Sequence, residues 1–204
     1  MEDPRLELFQ AGASVFANDT WAPSLATTFT AVAAFPFVSG SKDAAFLQNL
    51  SGSYSAQIKG TGPGLVIVEA YDTGTGFTPR LTNLSALYRS GIGAEALSAG
   101  FNITGTGTKR LLIRGVGPTL GRAPFLTDPK IEVFVAGSSS KFAENDNWDP
   151  ALASTFTSVG AFALTPGSKD AALIATLAPG TYSVRVTGAD GGTGDALIEV
   201  YELP

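Results

Sequence analysis

A chain of 204 residues, 44% hydrophobic and 15% charged, has enough apolar material to bury a core and is not a disordered tail. It contains neither cysteine nor histidine, which removes disulfides, zinc–thiolate sites and every serine–histidine or cysteine–histidine mechanism, so no enzyme is expected. A net charge of −5 argues against nucleic acid and anionic membranes as partners, and no apolar run nears the roughly 20 residues that cross a bilayer, so no membrane insertion is expected.

The opening "MEDPRLELF" is acidic and then strand-like rather than basic and apolar, so Met1 is expected to be an imposed start on an excised segment. Arg5–Phe9 alternates polar and apolar residues, the period of a half-buried strand. "ANDTWAP" (Ala17–Pro23) follows, and beyond it Leu25, Phe29 and Val32 fall at helical spacing. "GSKDAAFLQNL" (Gly40–Leu50) is a short apolar run entered through a polar corner. Ser41 and Lys42 are neighbours on a strand and point to opposite faces, so they cannot form a serine–lysine dyad. "VIVEAYD" (Val66–Asp72) closes this stretch.

Residues 73–127 form a connector rather than a loose linker. The glycine-rich run 73–77 reads as a turn, and "RLTNLSALYRS", "ALSAGFNITG" and "KRLLIRGVGP" read as three strands broken by "GIGAE" and "GTGTK". Charge is unevenly spread. Residues 1–72 carry three basic and seven acidic side chains and residues 128–204 carry four and ten, whereas the connector carries six basic side chains against Glu95. Such a connector is expected to pack on its acidic flanks, with capture of an external anion as the alternative.

From Asp128 onward the first stretch returns. "DPRLELF" (Asp3–Phe9) recurs as "DPKIEVF" (Asp128–Phe134), "WAPSLATTFTAVAAF" as "WDPALASTFTSVGAF", "GSKDAAFLQNL" as "GSKDAALIATL", and "VIVEAYD" as "LIEVYEL" (Leu197–Leu203). Through the middle of the copies the offset is a constant 127 residues, the mark of tandem duplication. The expected fold is all-β. Two tandem β-sandwich (jelly-roll-like) units, 1–72 and 128–204, each carry one short helix and are joined by the strand-bearing connector 73–127. The connector is expected to be the N-terminal half of the second unit. It has no counterpart before the first copy, which therefore lacks three strands, to be supplied by 73–127 or by another chain.

Three features are candidate sites. Glu144, Asn145, Asp146, Asn147 and Asp149 crowd "ENDNWDP" with oxygen ligands of the kind calcium takes. The first copy retains only Asn18 and Asp19 of these, and an Asx turn leading into a helix cap explains the same residues. Trp21 and Trp148 are candidate sugar-stacking platforms or, equally, rings that seal the end of a sandwich. Asp43 and Asp170 each precede an apolar strand and are placed to accept backbone N–H bonds or to join a cation. "TGADGGTGD" (Thr187–Asp195) joins strand to strand, so it reads as a hairpin turn and not a phosphate loop.

On the landmarks "DPKIEVF", "ENDNW", "KRLLIRGVGPTL" and "GSKDAALIATLAPGTYSVRVTGADGGTGDALIEVYEL", each copy resembles a repeat of large secreted bacterial proteins. The later part is similar to the bacterial pre-peptidase C-terminal domain, a β-sandwich. The first copy departs from the pattern at "LSGSYSAQIKGTGPGL", where "APGTY" is lost and the glycine-rich turn is shortened. The resemblance implies an extracellular or cell-surface, non-catalytic structural or adhesion module. Its expected partners are neighbouring repeats or other copies of itself. The alternative is a carbohydrate-binding module for polysaccharide, assisted by calcium.

Overall fold

In the computed structural model the described residues are 1–74 and 80–204, and the chain divides into two units, Met1–Leu81 and Thr82–Pro204. The glycine-rich turn expected at 73–77 lies mostly outside the described residues. The chain is all-β, with antiparallel sheets and, among the described residues, two short α-helices.

In the first unit, β1 (Glu2–Gln10) pairs on one side with β2 (Ala13–Asn18) and on the other with β3 (Ser55–Thr61). A 3-10 turn at Pro23–Leu25 leads into α1 (Ala26–Ala31), the helix expected after Trp21. Two segments expected as strands are not strands here. Ala44–Leu50 and Val66–Asp72 have no ladder partner, and every residue of 61–72 is exposed.

The second unit shows what those segments do when partners exist. Its strands are β4 (Asn83–Ser90), β5 (Leu97–Ile103), β6 (Lys109–Val116), β7 (Pro129–Val135), β8 (Lys141–Asn145), β9 (Ala171–Leu177), β10 (Gly180–Gly188) and β11 (Gly194–Glu202). α2 (Ala153–Ser158) lies between β8 and β9. They build two four-stranded sheets, in the orders β5-β10-β7-β8 and β4-β11-β6-β9. The connector strands β4, β5 and β6 therefore belong to the second unit, whose boundary falls at Thr82. β10 and β11 lie in different sheets, so the glycine-rich segment between them crosses from one sheet to the other. It is not the hairpin turn that the sequence suggests, because β11 finds its partners in β4 and β6.

The core follows from alternation. Leu111 and Ile113 of β6, Ala196 and Ile198 of β11 and Ala175 and Leu177 of β9 meet Ile131, Val133, Val184 and Val186 from the facing sheet. β6 is buried on both faces. Its other face, Leu112 and Val116, packs under α2 and its following loop against Phe156, Ala161 and Leu164. Gly115 makes this closeness possible, since a Cβ there would stand 2.5 Å from Ile131 Cγ2 and 3.2 Å from Val186 Cγ2. Ser90 ties the two sheets together. Its hydroxyl donates to the Val186 carbonyl at 2.8 Å and accepts from the Leu97 N–H at 3.1 Å.

Equivalences follow directly. β1, β2 and β3 correspond to β7, β8 and β10, so the first unit holds one sheet of the sandwich apart from its edge strand. The unpaired segments 44–50 and 65–72 correspond to β9 and β11, the two strands that flank β6. A strand requires a ladder partner; the counterparts in the second unit both pair with β6, whereas neither segment has a partner among the described residues.

Candidate functional site

The most concentrated chemistry lies in the second unit, on the outer face of the β4-β11-β6-β9 sheet. Arg114 interrupts the apolar run of β6 and is fully buried. Its Nε donates to Glu199 Oε2 at 2.8 Å, with a second bond from Nη2, and its Nη1 donates to the Phe162 carbonyl at 2.6 Å. Phe156 and Phe162 lie 4.8 Å and 4.3 Å from the guanidinium carbon, measured to the ring centroids. The other oxygen of Glu199 accepts the Tyr201 hydroxyl at 2.7 Å. Burial, with help from the Glu199 carboxylate, pushes the Tyr201 phenol well above its ordinary range, so it stays a neutral donor.

Asp170 forms a second buried knot. Its Oδ1 accepts the Gly117 N–H at 2.7 Å, its carboxylate also accepts from Thr119, and the Ser168 hydroxyl bonds to it from within its own turn. The Asp170 carbonyl takes the Trp148 N–H at 2.9 Å. Of the two roles open to this aspartate in the sequence, the structure displays the backbone one. Together these two acids anchor β6 and the turn after it, Glu199 through Arg114 and Asp170 through Gly117 and Thr119.

The residues of "ENDNWDP" are turned to other partners. Glu144 lies between Lys141 (2.6 Å) and Lys130 (2.9 Å), and those hydrogen bonds hold its carboxyl below the usual range. Asn145 uses both ends of its amide, donating to the Asn147 carbonyl at 2.9 Å and accepting the Ala172 N–H at 2.9 Å. Asn18 repeats both bonds in the first unit, to Thr20 and from Ala45. Asp149 caps the first turn toward α2 by accepting the Ala151 N–H at 2.9 Å. Asp146 and Asn147 are exposed. No group of three or more acidic side chains arranged to hold a metal occurs among the described residues.

The tryptophans pack inward. Trp21 is buried against Phe29 and Phe37, with centroids 5.7 Å and 5.8 Å away. Trp148 is half-buried, 5.6 Å from Phe156, and its indole N–H donates to Ser168 Oγ at 3.3 Å. Among the described residues, the basic connector pairs Arg114 with Glu199 and Lys109 with Glu202.

Sequence reasoning missed Arg114 and Glu199, although each is a lone charge inside an apolar strand run, "LLIRGV" and "ALIEVY". Such a placement is costly unless the charges meet. The hydrogen bonds also correct one alignment. Tyr71 donates to Glu69 at 3.0 Å just as Tyr201 donates to Glu199, so Glu69 corresponds to Glu199 and the last pairing of the copies moves by one residue.

No family model and no curated protein matches the chain. Among solved structures it is similar to the pre-peptidase C-terminal domain of a collagenase from Bacillus anthracis, at 14% identity and a TM-score of 0.38, over 58% of this chain and 89% of that one.

Proposed function

We propose that the chain is a non-catalytic, extracellular structural module of a repetitive secreted or surface protein. The observation that carries this reading is the fate of the buried charges in the second unit. Arg114, Glu199 and Asp170 each spend their bonding capacity on a strand, a loop carbonyl or a turn, and Arg114 has no exposed surface to offer a substrate. The sequence likeness to repeats of secreted bacterial proteins supports the extracellular setting. The duplication supports a role in series, with like units stacked along a longer protein.

Polysaccharide retention tests the reading. The wild-type chain is passed over insoluble glycans beside Trp148→Ala. The module reading expects no specific retention, with the substitution lowering only the melting temperature. Retention that Trp148→Ala abolishes without changing the melting temperature would instead establish a carbohydrate-binding module.

A further inference from the structure

Arg114 and the Gly117–Thr119 turn all come from one stretch, residues 109–120, and the first unit retains counterparts of the carboxylates and rings that receive them. Glu69 and Tyr71 stand for Glu199 and Tyr201, already joined by the same hydrogen bond. Asp43 stands for Asp170 and keeps the Ser41 hydroxyl bond and the Trp21 N–H on its carbonyl, as Asp170 keeps Ser168 and Trp148. Phe29 and Phe35 stand for the two rings around the Arg114 guanidinium, and Phe35 is 48% exposed.

The apolar surface tells the same story. In the second unit, Leu112 and Val116 fill the space beneath Phe156, Ala161 and Leu164. The matching residues Phe29, Ala34 and Phe37, with Trp21, line an open hollow of about 350 Å³. Val68 is 53% exposed where Ile198 is 1%, and Leu50 is 47% exposed where Leu177 is 0%. Both segments whose counterparts flank β6 in the second unit thus carry exposed apolar residues, and 65–72 also carries the exposed carboxylate of Glu69.

We infer that the first unit is an acceptor for a β6-type strand with the sequence pattern of residues 109–120, inserted antiparallel between segments 44–50 and 65–72 with its arginine on Glu69 and its following turn on Asp43. The occupant is set by complementarity. It must alternate apolar residues on both faces, carry one arginine on the helix side, and have glycine next to it, where Leu6 and Ile58 stand for the Ile131 and Val186 that leave no room for a Cβ. Among the described strands, segment 109–120 is the one that meets every condition. The inference rests on the structural-module reading and adds the mode of assembly.

The test adds a synthetic peptide of residues 109–120, KRLLIRGVGPTL, to the full 204-residue chain. Binding is followed by calorimetry and its place by amide hydrogen exchange. The expected result is saturable binding of one peptide per chain, with new amide protection across 44–50 and 65–72. A peptide carrying Arg114→Met, or a chain carrying Glu69→Gln, is expected to bind roughly thirtyfold more weakly or worse, as for other truncated buried charge pairs. A peptide carrying Gly115→Val is expected not to bind. No saturable binding, binding indifferent to the arginine, or protection confined to residues 82–204 would overturn the inference. Glu69 is exposed, so its substitution leaves the fold intact. Failure here leaves the module reading standing, because that reading is decided by glycan retention and not by the peptide.

Discussion

Arg114 and Glu199 occupy directly opposed positions on the adjacent strands β6 and β11, with Nε 2.8 Å from Oε2, and neither side chain reaches solvent to any useful extent. Removing one partner strands a charge in the core. Arg114→Met or Glu199→Leu alone is expected to cost about 3–5 kcal/mol of unfolding free energy, while the double substitution recovers most of that loss. Urea unfolding of the four proteins of the cycle measures the coupling. Additive losses would mean that the two residues act separately.

The two aspartates of the "SKD" corners separate the copies. Asp170→Ala leaves the buried Gly117 N–H without its acceptor and is expected to destabilise the second unit by about 1–3 kcal/mol. Asp43→Ala is expected to change stability by less than about 0.5 kcal/mol, since its carboxylate holds only a local serine bond among the described contacts. Equal losses would contradict the view that strand β6 distinguishes the copies.

Glu132 supplies a pH dependence. Burial opposes its ionisation, but the hydrogen bonds from Lys141 and Arg185 outweigh this and hold its pKa below the ordinary 4.5. Since the folded value lies under the unfolded one, the stabilisation is complete above that ordinary value and is lost as pH falls through the depressed folded value. Glu132→Gln is therefore expected to flatten the acid limb of the stability curve below about pH 4 while leaving its neutral slope unchanged. An acid limb that survives the substitution intact would assign it to other carboxylates.

Calcium is expected to leave the melting temperature unchanged against chelator, because Glu144, Asn145 and Asp149 already bond to lysines, to the Ala172 N–H and to a helix start. A rise that follows calcium concentration would reassign those side chains as ligands.

Much of this was legible in the residues. The duplication, the all-β class and the short helix after each tryptophan follow from recurrence and spacing alone. That two strand-like segments of the first copy stay unpaired was not legible. "DAAFLQNL" and "VIVEAYD" have the pattern of strands, yet pattern specifies only which face a residue would present, and the ladder must come from a partner. The charged pair was hidden for a related reason. Arg114 and Glu199 are 85 residues apart, and only the register of β6 on β11 brings them opposite each other. In "ENDNWDP" the acids drew attention, but the shared residues, an asparagine that bridges the corner and a tryptophan that seals it, perform the duties that both copies need.

Amide hydrogen exchange on the chain alone tests the central claim most directly. If possession of β6 decides which copy completes its second sheet, amides of residues 197–202 exchange only near the global unfolding limit, while those of 65–72 exchange at close to unstructured rates. Comparable strong protection in both segments would contradict the account.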